Sequence, residues 1–111
     1  MTRAPITAED LLAGCSAVHE VTVPPHVLSA ARDRGEAGLT VQLRPLTIGQ
    51  FLLIMKAAKE DSSLIPLLMV KESLVEPEIA LGQIKQMSVG LVAFLVEQIR
   101  AISGLGKKKS Q

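Results

Sequence analysis

Cys15, His19, His26, Glu76 and Glu78 are the side chains of this 111-residue sequence best suited to catalysis or metal binding. Cys15 stands four residues before His19, an order that suits a thiol with an imidazole base. A reactive thiol needs activating neighbours, and the residues beside Cys15 supply none, so it reads as a small, semi-buried side chain. Neither His19 nor His26 has a second His, Asp or Cys at ligand spacing, and Pro24-Pro25 prevents a helical pairing of the two. Glu76 and Glu78 flank Pro77 and could share a proton, but acids around a proline between helices ordinarily serve as exposed caps. The sequence has no Ser-His-Asp spacing, no dinucleotide glycine pattern and no metal quartet. Arg32-Asp33-Arg34-Gly35-Glu36 mixes signs like a solvated loop and lacks the glycine-rich, Lys-Ser/Thr form of a phosphate cradle. The expectation is a protein without catalytic residues, metal or cofactor.

The elements that must position these residues follow from composition and periodicity. Apolar residues make up 48% of the chain, yet it has only two phenylalanines and no tyrosine or tryptophan. The core must therefore be aliphatic, which favours helices with interdigitating stripes. It also argues against the aromatic platforms on which single-strand nucleic-acid readers stack bases. Twelve basic and eleven acidic residues leave a net charge of +1, so no global field steers a polyanion. A single cysteine excludes an internal disulfide and suits a reducing compartment. Met1–Asp10 has an arginine and two acids where a secretory leader needs an apolar core. Val89–Val96, the most apolar run, is far short of the roughly 20 residues that span a bilayer. A soluble, cytoplasmic protein is expected.

Leu39–Arg44 alternates apolar and polar residues, the pattern of a strand with one buried face. Pro45 ends it, and Thr47 is placed to cap a helix. Val18–Val23, stopped by Pro24-Pro25, supplies the simplest partner strand, with a turn or two of helix over His26–Arg34. Thr7–Gly14 reads as a short capped helix within an N-terminal arm, residues 1–17. Beyond Thr47 the chain is helical. Ile48, Phe51, Leu52, Met55 and Ala58 form the stripe of a central helix that Leu53 and Ile54 widen. A second helix starts near Ser63 and runs through Leu74 and Val75 to stop before Pro77, and a short one covers Ile79–Met87. Ser88 caps the last, with Leu91, Val92, Leu95, Ile99 and Ile102 inward and Ser103-Gly104 as its end. The expected fold is α+β: a mostly helical domain over residues 18–105, one antiparallel strand pair on about four helices, and a disordered basic tail, 106–111.

Leu43-Arg44-Pro45-Leu46-Thr47, between an alternating strand and a helix, resembles the tail and baseplate assembly chaperones of tailed bacteriophages and phage-tail-like injection particles. In that family a strand pair leads through an L-R-P-L-T junction into a helix. Leu74-Val75-Glu76-Pro77 matches its L-V-x-P element, and Ser103-Gly104-Leu105 its closing S-G-L. The similarity covers residues 18–105 and departs at 24–38, where the family commonly has a tight turn. The resemblance makes Arg44, Pro45, Thr47 and Pro77 structural junction residues. It implies a non-enzymatic helper in the bacterial host cytoplasm that keeps a tape-measure or baseplate hub protein soluble before assembly.

An aliphatic helical surface can present a groove to a partner's amphipathic helix. Phe51, Met55, Met69, Met87 and Phe94 are the candidate partner contacts, with methionine the adaptable one; each methionine could equally fill the core. Self-association is expected alongside a protein client. The alternatives are a structural subunit retained in the particle and a small regulator that touches nucleic acid through Lys107–Lys109.

Overall fold

The computed structural model describes residues 5–15, 17–27 and 39–105. The expected His26–Arg34 helix beyond Val27, the mixed-charge cluster and the lysine tail lie outside them. The described chain is the expected α+β domain, with β1 (His19–Val23), β2 (Leu39–Leu43) and helices α1 (Ala8–Leu12), α2 (Ile48–Ala57) and α3 (Ile65–Ser73). β3 (Leu74–Glu76), α4 (Leu81–Ile84) and α5 (Val89–Ile102) complete it.

The sheet has three antiparallel strands in the order β1-β2-β3, so the expected strand pair is one strand short. β1 and β2 pair from His19 opposite Leu43 to Val23 opposite Leu39. That register puts Val21, Val23, Val41 and Leu43 on one face, and Val23 and Leu43 are buried among the helices. β3 takes the free edge of β2, with Leu74 opposite Leu43, Glu76 opposite Gln42 and an irregularity between the two. Leu74 and Val75, expected in the second helix, are therefore strand residues. Helix α3 stops at Ser73, and Leu74 turns to an extended backbone (ψ 115°). Pro77 favours the same extended form in the residue before it. The Glu76-Pro77 peptide is cis.

Local signals set the helix starts. Thr7 and Thr47 form reciprocal capping boxes with Asp10 and Gln50, and the Ser88 hydroxyl accepts the Leu91 amide. Asp61 accepts from the Ser63 amide (3.1 Å) and hydroxyl (2.5 Å), which caps the turn leading into α3. Those bonds hold its carboxyl below its ordinary pKa. Pro66 sits in the first turn of α3, where its missing N–H is no loss. Gly104 closes α5 with φ 78°, a left-handed conformation that suits glycine.

Helix α3 is the centre of the domain: it packs against α5, α2 and α4, while α5 also covers β1. The core holds Val23, Leu43, Leu46, Ile54, Met69, Val70, Leu74, Ile84, Leu95 and Ile99. Two expectations change here. The short helix expected over Ile79–Met87 is helical only over Leu81–Ile84, although Ile84 is inward as expected. The buried side of α2 runs through Ile54 and Ala58, and Ile48, Leu52, Leu53 and Met55 are exposed. The stripe is there, but it faces away from the core, and α2 flanks the domain instead of running through its middle.

Candidate functional site

The L-R-P-L-T junction is where the sheet, α2, α3 and α5 are tied together. Leu43 is fully buried at the end of β2. The Arg44 amide donates to the Ser73 carbonyl (2.9 Å), and the Ser73 hydroxyl donates back to the Arg44 carbonyl. Arg44 Nε also donates to the Glu72 carbonyl (3.3 Å). Pro45 is buried and has no amide to satisfy. The Leu46 amide donates to Ser103 Oγ (2.8 Å), joining the entry of α2 to the exit of α5. Thr47 then caps α2. Every residue of the motif is committed to holding elements together. Pro77 closes the same region on the far side of β3, where it is exposed.

The residues suited to chemistry do not converge. Cys15 is exposed, and its thiol lies 3.7 Å from the Leu11 carbonyl. It lines an open cleft of about 360–480 Å³ scale, about 480 Å³, with Leu12, Pro45, Ile48, Ile102 and Gly104, and no histidine or carboxylate is among the lining residues. His19 and His26 are both exposed. Glu78 lines a separate, more polar cleft with Arg44, Lys71 and Glu72, whereas Glu76 is paired in β3. Among the described residues, no group of three or more His, Cys, Asp and Glu side chains is placed to hold a metal ion. No helix among them is long and apolar enough to cross a membrane.

What the fold does build is a groove. It has a volume of about 600 Å³ and lies between the start of α3, the end of α4 and one side of α5. Its floor and walls are Pro66, Leu67, Ile84, Met87, Val89, Val92 and Val96, and Lys85, Glu97 and Arg100 stand among them as the charged members. Arg100 is held by a bond from its Nη2 to the Leu105 carbonyl (3.1 Å). The groove exists because α5 is apolar on more than one side. Leu95 and Ile99 face the core, while Val89, Val92 and Val96 lie on the flank that nothing covers.

Of the expected partner contacts, Met87 lines this groove and is half-buried. Phe94 is half-buried and packs against the core. Phe51 is half-buried and Met55 exposed, both on α2 and away from the groove. Met69 is corrected: it is 2% exposed, at the middle of α3, and presents nothing to a partner. The valines of α5 were legible as a stripe but not as a wall. The signal was their number, since an apolar arc wider than one helix face must meet two surfaces.

No family model, curated protein or solved structure matches this chain.

Proposed function

We propose that this protein is a non-enzymatic binding module that receives an amphipathic helix of a client protein in the groove between α3, α4 and α5. The observation that supports it most is the groove itself: an open apolar trough of helix-receiving size, about 600 Å³, with two cations and one acid among its walls. A client helix would lay aliphatic residues at three- and four-residue spacing along Val89, Val92 and Val96. Its flanking acids would meet Lys85 and Arg100.

The resemblance of the junction, the L-V-x-P element and the S-G-L end to phage tail and baseplate assembly chaperones suggests the client class. The reading is of a helper that holds a tape-measure or baseplate hub protein soluble before assembly. The test is co-expression with the long, helix-rich protein encoded nearby, with and without Val89→Glu. Val89 is exposed at the first position of α5, where an acid suits the helix dipole, so the variant keeps the fold. A soluble complex with the unaltered chain, reduced by Val89→Glu, supports the reading. A client that stays insoluble with either chain removes it. Mass spectrometry of purified particles then separates a helper that leaves from a subunit that stays.

A further inference from the structure

We propose that two copies of this chain associate through α1 and the outward stripe of α2, related by a two-fold axis. The inference is independent of the client groove, which lies on α3, α4 and α5.

Helix α1 has five residues and buries none of them. Its capping box fixes where it starts, but helices shorter than about 12 residues are marginal in water without packing. Ile6 and Leu11 stand at the positions of a hydrophobic staple, before and after the Thr7 cap. They and Leu12 are 69%, 68% and 69% exposed. On α2, Ile48, Leu52 and Met55 fall at i, i+4 and i+7 on one face, and are 72%, 60% and 42% exposed.

Leu12 and Ile48 line one cleft beside the Pro45–Thr47 junction, so the arm's apolar end continues into the α2 stripe. At on the order of 100 Å² of exposed apolar surface per side chain, the six offer about 600 Å² per copy. That is most of the roughly 800 Å² that each partner contributes to an ordinary stable interface.

Charge selects a second copy as the occupant. One end of the surface carries Glu9 and Asp10; the other carries Lys56 and Lys59, with Glu60 beside them. A two-fold pairing is isologous, so it sets the acidic end of each copy against the net-positive end of the other.

The test is sedimentation of the full chain at tens of micromolar, where a micromolar dimer is populated. The expected result is a dimer that Leu52→Glu weakens by about tenfold or more, because a charge is buried without a partner. Leu52 is exposed in the single copy, and an unchanged circular dichroism spectrum checks that the variant folds. Glu9→Lys and Lys56→Glu each weaken the dimer, and the two together restore it. A monomer at these concentrations overturns the proposal, as does a dimer indifferent to Leu52→Glu. A dimer broken by Val89→Glu but not by Leu52→Glu also overturns it, because the copies would then meet through the groove.

Discussion

Ser73 is the one buried polar side chain of the core, 0% exposed, and its replacement by alanine tests how the sheet is joined to the helices. Its hydroxyl donates to the Arg44 carbonyl, and its own carbonyl accepts the Arg44 amide. Ser73→Ala keeps the second bond and removes the first. The volume change is one oxygen atom, so the cavity contribution is small. What remains is a lost neutral hydrogen bond, about 1 kcal/mol net, plus the cost of leaving the Arg44 carbonyl without that donor between two buried neighbours. Together these come to about 2 kcal/mol, toward the upper part of the range for single substitutions. For a domain of this size that lowers Tm by roughly 8 °C. Thermal unfolding followed by circular dichroism measures it, with urea titration to confirm that the slope is unchanged. A fall in Tm of under about 2 °C would falsify the reasoning, because the bond would then be no better than one to water. A larger fall with an altered urea slope would point to a change in the denatured ensemble instead.

Met69→Ala should cost about 2–5 kcal/mol, against well under 1 kcal/mol for Met55→Ala, because Met69 is buried in the core and Met55 is exposed. Urea midpoints of the two variants decide this, and similar values would undo the division between core and surface. Gly104→Ala should cost about 1 kcal/mol from backbone conformation alone: φ is +78°, and an added Cβ meets no heavy atom within 4 Å. If Tm does not move, the helix end relaxes freely. Asp61 is held below its ordinary pKa by the Ser63 hydroxyl and amide. A depressed folded pKa gives stability that is present above the unfolded value and lost as pH falls through the folded one. Tm of the unaltered chain should therefore fall in acid more steeply than that of Asp61→Asn, and parallel acid limbs would show that the cap is worth nothing.

The parts of the fold that could be read from the sequence are those with local causes. Thr7, Thr47 and Ser88 cap helices by reaching three residues onward, a bond visible in the spacing of a few residues. The β1–β2 register follows from alternation, since a one-residue slip would turn Val23 and Leu43 to water. Leu74–Glu76 was not legible, because nothing in Ile65–Val75 marks Ser73 as a stop. The strand forms on an edge that residues more than thirty positions earlier provide. The face of α2 was also open to two readings. Ile48, Leu52 and Met55 satisfy helical spacing as well as Phe51, Ile54 and Ala58 do, and only the location of α3 selects the second set. The groove was missed for a related reason. Periodicity places Val92 with Leu91 and Leu95 in one apolar arc, but which part of that arc a neighbour covers depends on α4 ending at Ile84.

The motif that carries the family resemblance has a structural role at each of its positions. Leu43 fills the core, and the Arg44 backbone is bonded to Ser73. Pro45 is buried without an amide, Leu46 is bonded to Ser103, and Thr47 is engaged with Gln50. None of those groups is left to meet a client. Ser103 of the S-G-L end is the acceptor for Leu46, so two of the matched elements are halves of one hydrogen bond, and a change in either would be felt by both. Selection of a partner must then rest on the surfaces that no core contact specifies: the valine flank of α5 and the outward stripe of α2. Both are aliphatic and poor in directional bonds, so apolar area alone would let them accept many helices. With a net charge of only +1, discrimination depends on where individual charges stand. Lys85 and Arg100 at the groove and Lys56 and Lys59 beside the stripe are the side chains placed to provide it.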